Sequence, residues 1–102
     1  MDRNGDEDRP AETVAERWLV AGRVQGVGFR YFVLHEARRL CIRGDVRNLP
    51  DGQVEVRAQG TPDQLERLRD VVRSGPRGAR VDRVSTAEGD PAVSFEDFRV
   101  CY

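Results

Sequence analysis

The sequence contains no lysine: all 17 of its basic residues are arginine. Chemistry that starts from a primary amine is thereby excluded, including Schiff-base catalysis, attachment of pyridoxal phosphate and the Walker A phosphate loop. Histidine occurs once, at His35, so a two-histidine metal site cannot form. Cysteine occurs twice, at Cys41 and Cys101. Their wide separation is not a metal-ligand spacing, and both are expected to be free thiols in a reducing compartment. No apolar run approaches the roughly 18 residues that a membrane span needs. The opening MDRNGDEDRP lacks the apolar stretch of a secretory signal. The expected location is the cytoplasm, with no membrane partner.

What remains is one domain's worth of chain, 102 residues, with 38% hydrophobic and 34% charged side chains. The charge is uneven. Residues 1–16 hold two arginines against six acids, while the other 86 residues hold 15 arginines against 12 acids. The first part, rich in Asp, Glu, Asn, Gly and Pro, reads as a solvated acidic tail. Residues 17–102 read as a mildly basic folded domain, better suited to a small anion than to a polyanion.

Hydropathy periods outline the elements of that domain. RWLVAGRV (17–24) fits a largely buried strand. After a glycine turn at 25–28, Phe29, Val33, Ala37 and Leu40 share one helical face. IRGDVRN (42–48) and VEVRAQ (54–59) flank a Pro-Asp-Gly turn and read as a hairpin, with Val54, Val56 and Ala58 inward. Thr61, Pro62 and Gln64 carry the signature of a helix start, Leu65, Leu68 and Val72 form its stripe, and Gly75-Pro76 ends it. In ARVDRVST (79–86), Val81 and Val84 break parity, which predicts a bulge or twist. In the last stretch, 95–102, Phe98, Val100 and Tyr102 fall on one face. Trp18 and the phenylalanines are core candidates. The order β-α-β-β-α-β plus a terminal strand predicts a ferredoxin-like α/β sandwich. Its mixed, mainly antiparallel sheet has four or five strands, and both helices lie on one face.

The stretch that carries chemistry is GRVQGVGFR, residues 22–30. Glycines at 22, 26 and 28 permit positive φ and close approach to a ligand. The turn leads from a strand into a helix start, where unpaired N–H groups attract an anion. Arg30 falls in the first helical turn, where a cation opposes the helix dipole. A bound oxyanion removes that conflict; pairing of Arg30 with a surface acid is the plainer alternative. A dinucleotide fingerprint fails because Tyr31 follows where a third glycine is needed. An RNA-recognition motif fails because the segment opens a helix rather than filling a central strand. Phe29, Tyr31 and Phe32 as base-stacking platforms fail as well, since Phe29 belongs to the apolar stripe. Asn48 ends the strand before the turn. It is either a turn former or a partner of Arg30, because strands 17–24 and 43–48 are expected to run parallel and to end at one sheet edge. His35 falls opposite the apolar stripe and Asp51 reads as a turn former. Arg23 and Arg47 read as surface ion-pair residues.

GRVQGVGFR followed by NLPDG, together with VEVRAQG and the GP after the second helix, resembles the acylphosphatase family from about Trp18 to Val100. The resemblance implies hydrolysis of an acyl phosphate to a carboxylate and inorganic phosphate, the latter also an inhibitor. It implies no metal or other cofactor, no nucleic acid, and a monomer. Carried over, the catalytic arginine falls on Arg30 and the catalytic asparagine on Asn48. The phosphate-cradling loop falls on Gln25, Gly26, Val27 and Gly28, extending through Phe29 to Arg30. The sequence departs from the family at Cys41, where glycine is frequent, and at Asp45, where an aromatic is frequent. A non-catalytic anion-binding module on the same sandwich is the rival reading; a detached domain of a larger carbamoyl-transfer enzyme is another.

Overall fold

A computed structural model describes residues 12–102. Strand β1 (Val14–Arg23) leads through the glycine turn into helix α1 (Phe29–Arg39). Strands β2 (Arg43–Asn48) and β3 (Val54–Gly60) form the expected hairpin, and helix α2 (Pro62–Ser74), β4 (Arg80–Glu88) and β5 (Phe98–Cys101) complete the chain. The five strands lie in the order β4-β1-β3-β2-β5, antiparallel except for the parallel β2–β5 pair. Since β1 and β2 are each antiparallel to β3, both run the same way, and β5 runs with them. The ends of all three therefore meet one edge of the sheet. With β3 between them, β1 and β2 lie about 10 Å apart.

The core is a single layer between the sheet and the two helices. Trp18, Val20, Val46, Val54 and Val56 come from the sheet, and Phe29, Val33, Ala37, Leu65, Leu68 and Val72 from the helices, all at most 1% exposed. Each of the valines, leucines and Phe29 contributes about 1.5–3 kcal/mol by leaving water. Helix α2 starts with the expected capping box: Thr61 Oγ1 accepts from the Gln64 N–H, and Gln64 Oε1 accepts from the Thr61 N–H. The parity break in β4 is a register shift against Ala21 and Gly22 of β1. There a Cβ on Gly22 would lie 2.1 Å from the Arg80 carbonyl oxygen, so this glycine serves strand packing and not a ligand.

Three expectations need correction. Of the acidic tail at 1–16, residues 1–11 lie outside the described part, but Val14, Ala15 and Glu16 belong to β1. Glu16 accepts from Trp18 Nε1 at 2.7 Å and from Arg69 at 2.6 Å, so this acid satisfies a buried indole. Tyr102 does not join Phe98 in the core but is exposed, and Phe95 lies on the other face of the sheet, its ring 5.1 Å from the Arg57 guanidinium. The face of the sheet away from the helices carries buried ionic groups. Glu55 is 3% exposed, held between Arg17 and Arg47. Burial pushes its carboxyl up, but the two guanidinium groups outweigh this and hold it below the usual range. Next to it, Arg57 grips buried Asp45 through two hydrogen bonds, and Gln59 donates to the Val93 carbonyl of the segment crossing between β4 and β5.

Candidate active site at the ends of the parallel strands

The turn between β1 and α1 is held in shape by glycine. Gly28 is the N-cap of α1 in the left-handed region (φ 77°), and Gly26 takes φ 76°. A Cβ at either position would point into open space, so it is the backbone angle and not crowding that requires glycine. The helix has no side-chain cap and no acid in its first turn. Among the described residues, no backbone N–H of residues 25–31 donates to a protein acceptor; the first engaged amide is that of Phe32, bonded to the Gly28 carbonyl at 3.0 Å. A row of free N–H groups at a helix start forms a concave, electropositive nest.

The side chain of Gln25 is not part of that nest. Its Nε2 donates to the carbonyls of Leu49 and Gln53, at 2.8 and 2.9 Å, and so ties the turn to the β2–β3 loop. That loop is itself stiffened by Asp51. Asp51 accepts from the Gln53 N–H and side chain, and these bonds lower its carboxyl below the ordinary value. Asp51 is thus the turn former expected from the sequence. The tie brings the nest beside Asn48, the last residue of β2.

Arg30 projects across the same edge. Its guanidinium donates to the Cys101 carbonyl at 3.4 Å and lies 4.8 Å from the centre of the Tyr102 ring. Cys101 pairs in register with Arg47, so Arg30 reaches the end of the strand adjoining Asn48. Among the described residues Arg30 has no carboxylate partner. Arg47, by contrast, pairs with Glu55 as expected, and His35 is exposed. Phe29 contributes only backbone to this edge, since its ring is in the core.

Asn48 carries the clearest signal. Its Oδ1 is buried and has no hydrogen-bond partner, alone among the buried side-chain oxygens and nitrogens of the described residues. A buried amide oxygen left without a donor costs about 1–3 kcal/mol. Such a group calls for a reason, and Asn48 ends β2 at the edge of the sheet that also carries the nest and Arg30. Sequence inspection placed Asn48 at the edge but could not choose between turn former and site residue. The Tyr31–Tyr102 hydroxyl pair beside Arg30 went unnoticed. The only available signal was that both tyrosines sit next to candidate site elements.

The fold and sequence recur in known proteins. The acylphosphatase family model matches residues 16–100. An acylphosphatase of Salinibacter ruber is 52% identical over 81 residues, covering 79% of this chain and 85% of its own. One from Koribacter versatilis is 48% identical over 84 residues, covering 82% and 76%. The crystal structure of the Bacillus subtilis acylphosphatase superposes with a TM-score of 0.83 at 37% identity, covering 87% of this chain and 99% of that one. The rival reading as a non-catalytic module loses its ground. The chain belongs to the acylphosphatase family and is a hydrolase of acyl phosphates.

Proposed function

We propose that the chain performs this hydrolysis with Arg30 and the amides of residues 25–30 binding the phosphoryl group and Asn48 orienting the attacking water. The position of Asn48 supports the assignment of the water: it ends β2 beside the turn that Gln25 ties to the following loop, and its carboxamide hydrogen-bonds the water and aims the oxygen lone pair at phosphorus. The nest amides and the remaining in-plane donors of Arg30 bind the three non-bridging phosphoryl oxygens from two sides. Water oxygen bonds to phosphorus as the acyl oxygen leaves in line with the P–O electron pair. A phosphoryl oxygen takes the water's proton.

The leaving carboxylate is the base of an acid with a pKa of about 4, so it departs without protonation. No general acid is then needed, which suits a site whose neighbourhood holds no histidine. The remaining work is positioning and charge stabilisation, the main demands of phosphoryl transfer. Removing one charge-stabilising donor typically lowers kcat about 10²–10³-fold. The test is release of inorganic phosphate from benzoyl phosphate by wild type and Arg30→Gln, with circular dichroism as the check on folding. The expected result is a folded variant with turnover reduced on that scale and weakened inhibition by inorganic phosphate. Turnover within tenfold of wild type removes Arg30 from the mechanism.

A further inference from the structure

Beside Arg30 lies a feature that phosphoryl chemistry does not use. Tyr31 and Tyr102 are 48% and 89% exposed, the only exposed large hydrophobic side chains among the described residues. They lie 71 positions apart in the chain, yet their hydroxyls share a hydrogen bond. Tyr31 stands in the first turn of α1, immediately after Arg30, and Tyr102 follows the end of β5. The Arg30 guanidinium rests on the Tyr102 ring, 4.8 Å from its centre. Stacking of this kind uses the face of the guanidinium, while oxyanions bind its edge, so the ring and a phosphoryl group do not compete.

The same edge carries Asn48, Gln25 and the nest backbone, with Val27 and Leu49 half-buried and Pro50 exposed. An in-line displacement sends the acyl group away from the water at Asn48, out of the nest toward solvent. The tyrosine pair offers the most exposed large apolar side chains near Arg30. We propose that Tyr31 and Tyr102 form an acyl-side wall that favours acyl phosphates with a flat aromatic or extended apolar acyl group over small ones. This rests on the hydrolytic reading given above. The hydroxyl bond fixes the two rings relative to each other, so little side-chain freedom is lost when an acyl group settles on them.

The experiment compares kcat/KM for benzoyl phosphate and acetyl phosphate in wild type, Tyr31→Ala and Tyr31→Phe. Tyr31 is chosen because it is half exposed and because the Arg30 guanidinium rests on the Tyr102 ring, not on the ring of Tyr31. An aromatic contact of this kind corresponds to roughly a three- to tenfold effect. Tyr31→Ala is expected to lower the benzoyl-to-acetyl ratio by that factor, through KM for benzoyl phosphate, while Tyr31→Phe keeps most of the ratio. Equal losses for both substrates overturn the proposal and make the pair a support for Arg30. A Phe variant that loses the ratio as fully as Ala overturns it also. A wild-type protein that turns over neither substrate removes the hydrolytic reading, and this one with it.

Discussion

Gln25→Ala isolates the tie between the nest and the loop that follows Asn48. The substitution removes two hydrogen bonds, to the Leu49 and Gln53 carbonyls. Neither carbonyl is orphaned, because Leu49 still accepts from the Gly52 N–H at 3.1 Å and Gln53 from the Leu49 N–H at 2.8 Å. The cost is therefore that of two ordinary bonds without a desolvation penalty, about 1–2 kcal/mol in total. For a domain of this size that corresponds to a fall in Tm of roughly 5–15 °C. The catalytic effect should be larger than the thermal one suggests. Asn48 is the hinge between β2 and the loop, and a displacement of about 1 Å at such a residue can lower the rate up to 10²-fold. Calorimetry and benzoyl phosphate hydrolysis are the assays. Gln25→Glu, which cannot donate and brings a negative charge beside the nest, should also weaken inhibition by phosphate. An Ala variant that melts with wild type and keeps its kcat would refute the reasoning, since the tie would then hold nothing in place.

Cys41→Gly should stabilise the protein. Cys41 terminates α1 in the left-handed region, φ 62°, with its N–H bonded to Arg38 and that of Ile42 to Ala37. A side chain there costs about 1–2 kcal/mol, and the added freedom of glycine in the unfolded chain offsets about 0.4–1 kcal/mol of the gain. The urea midpoint should therefore rise with an unchanged m-value; a fall would show that Cys41 makes a contact worth more than its strain. Acid should destabilise the open face of the sheet. Because the Glu55 carboxyl titrates lower in the folded protein than its ordinary 4.5, its stabilisation is complete above about pH 4.5 and is lost as pH falls through the lowered value. Glu55→Gln should flatten that part of the stability–pH curve, and an unchanged curve would place the acid sensitivity elsewhere.

Most of the helix-side layer was legible in the sequence because its signals are local. Alternating valines in β3, the stripe of α2 and the Thr61–Gln64 capping box each follow from a few neighbouring residues. Arg30 was legible for a different reason: it breaks the dipole rule at a helix start, and such breaks mark sites. What could not be read depends on contacts distant in sequence. Glu16 looked like the end of an acidic tail because the indole and arginine it serves are recognisable only in three dimensions. The burial of Glu55 and Asp45 is not readable from alternation, which says which face a residue is on but not that arginines cover that face. Tyr102 continued the parity of Phe98 and Val100, but the sheet ends at Cys101, and the ring turns to Arg30 instead of the core. For Asn48, turn chemistry and site chemistry make the same demand on the sequence. What the structure adds is a buried, unpaired oxygen on Asn48.

The division of labour at the sheet edge is tested most directly by Asn48→Ala, measuring kcat for benzoyl phosphate alongside the inhibition constant for inorganic phosphate. If Asn48 holds the water while the nest and Arg30 hold the phosphoryl group, kcat falls about 10²–10³-fold and the inhibition constant stays within about threefold, a binding change of less than 1 kcal/mol. Turnover within tenfold of wild type, or loss of phosphate inhibition together with turnover, would contradict that division.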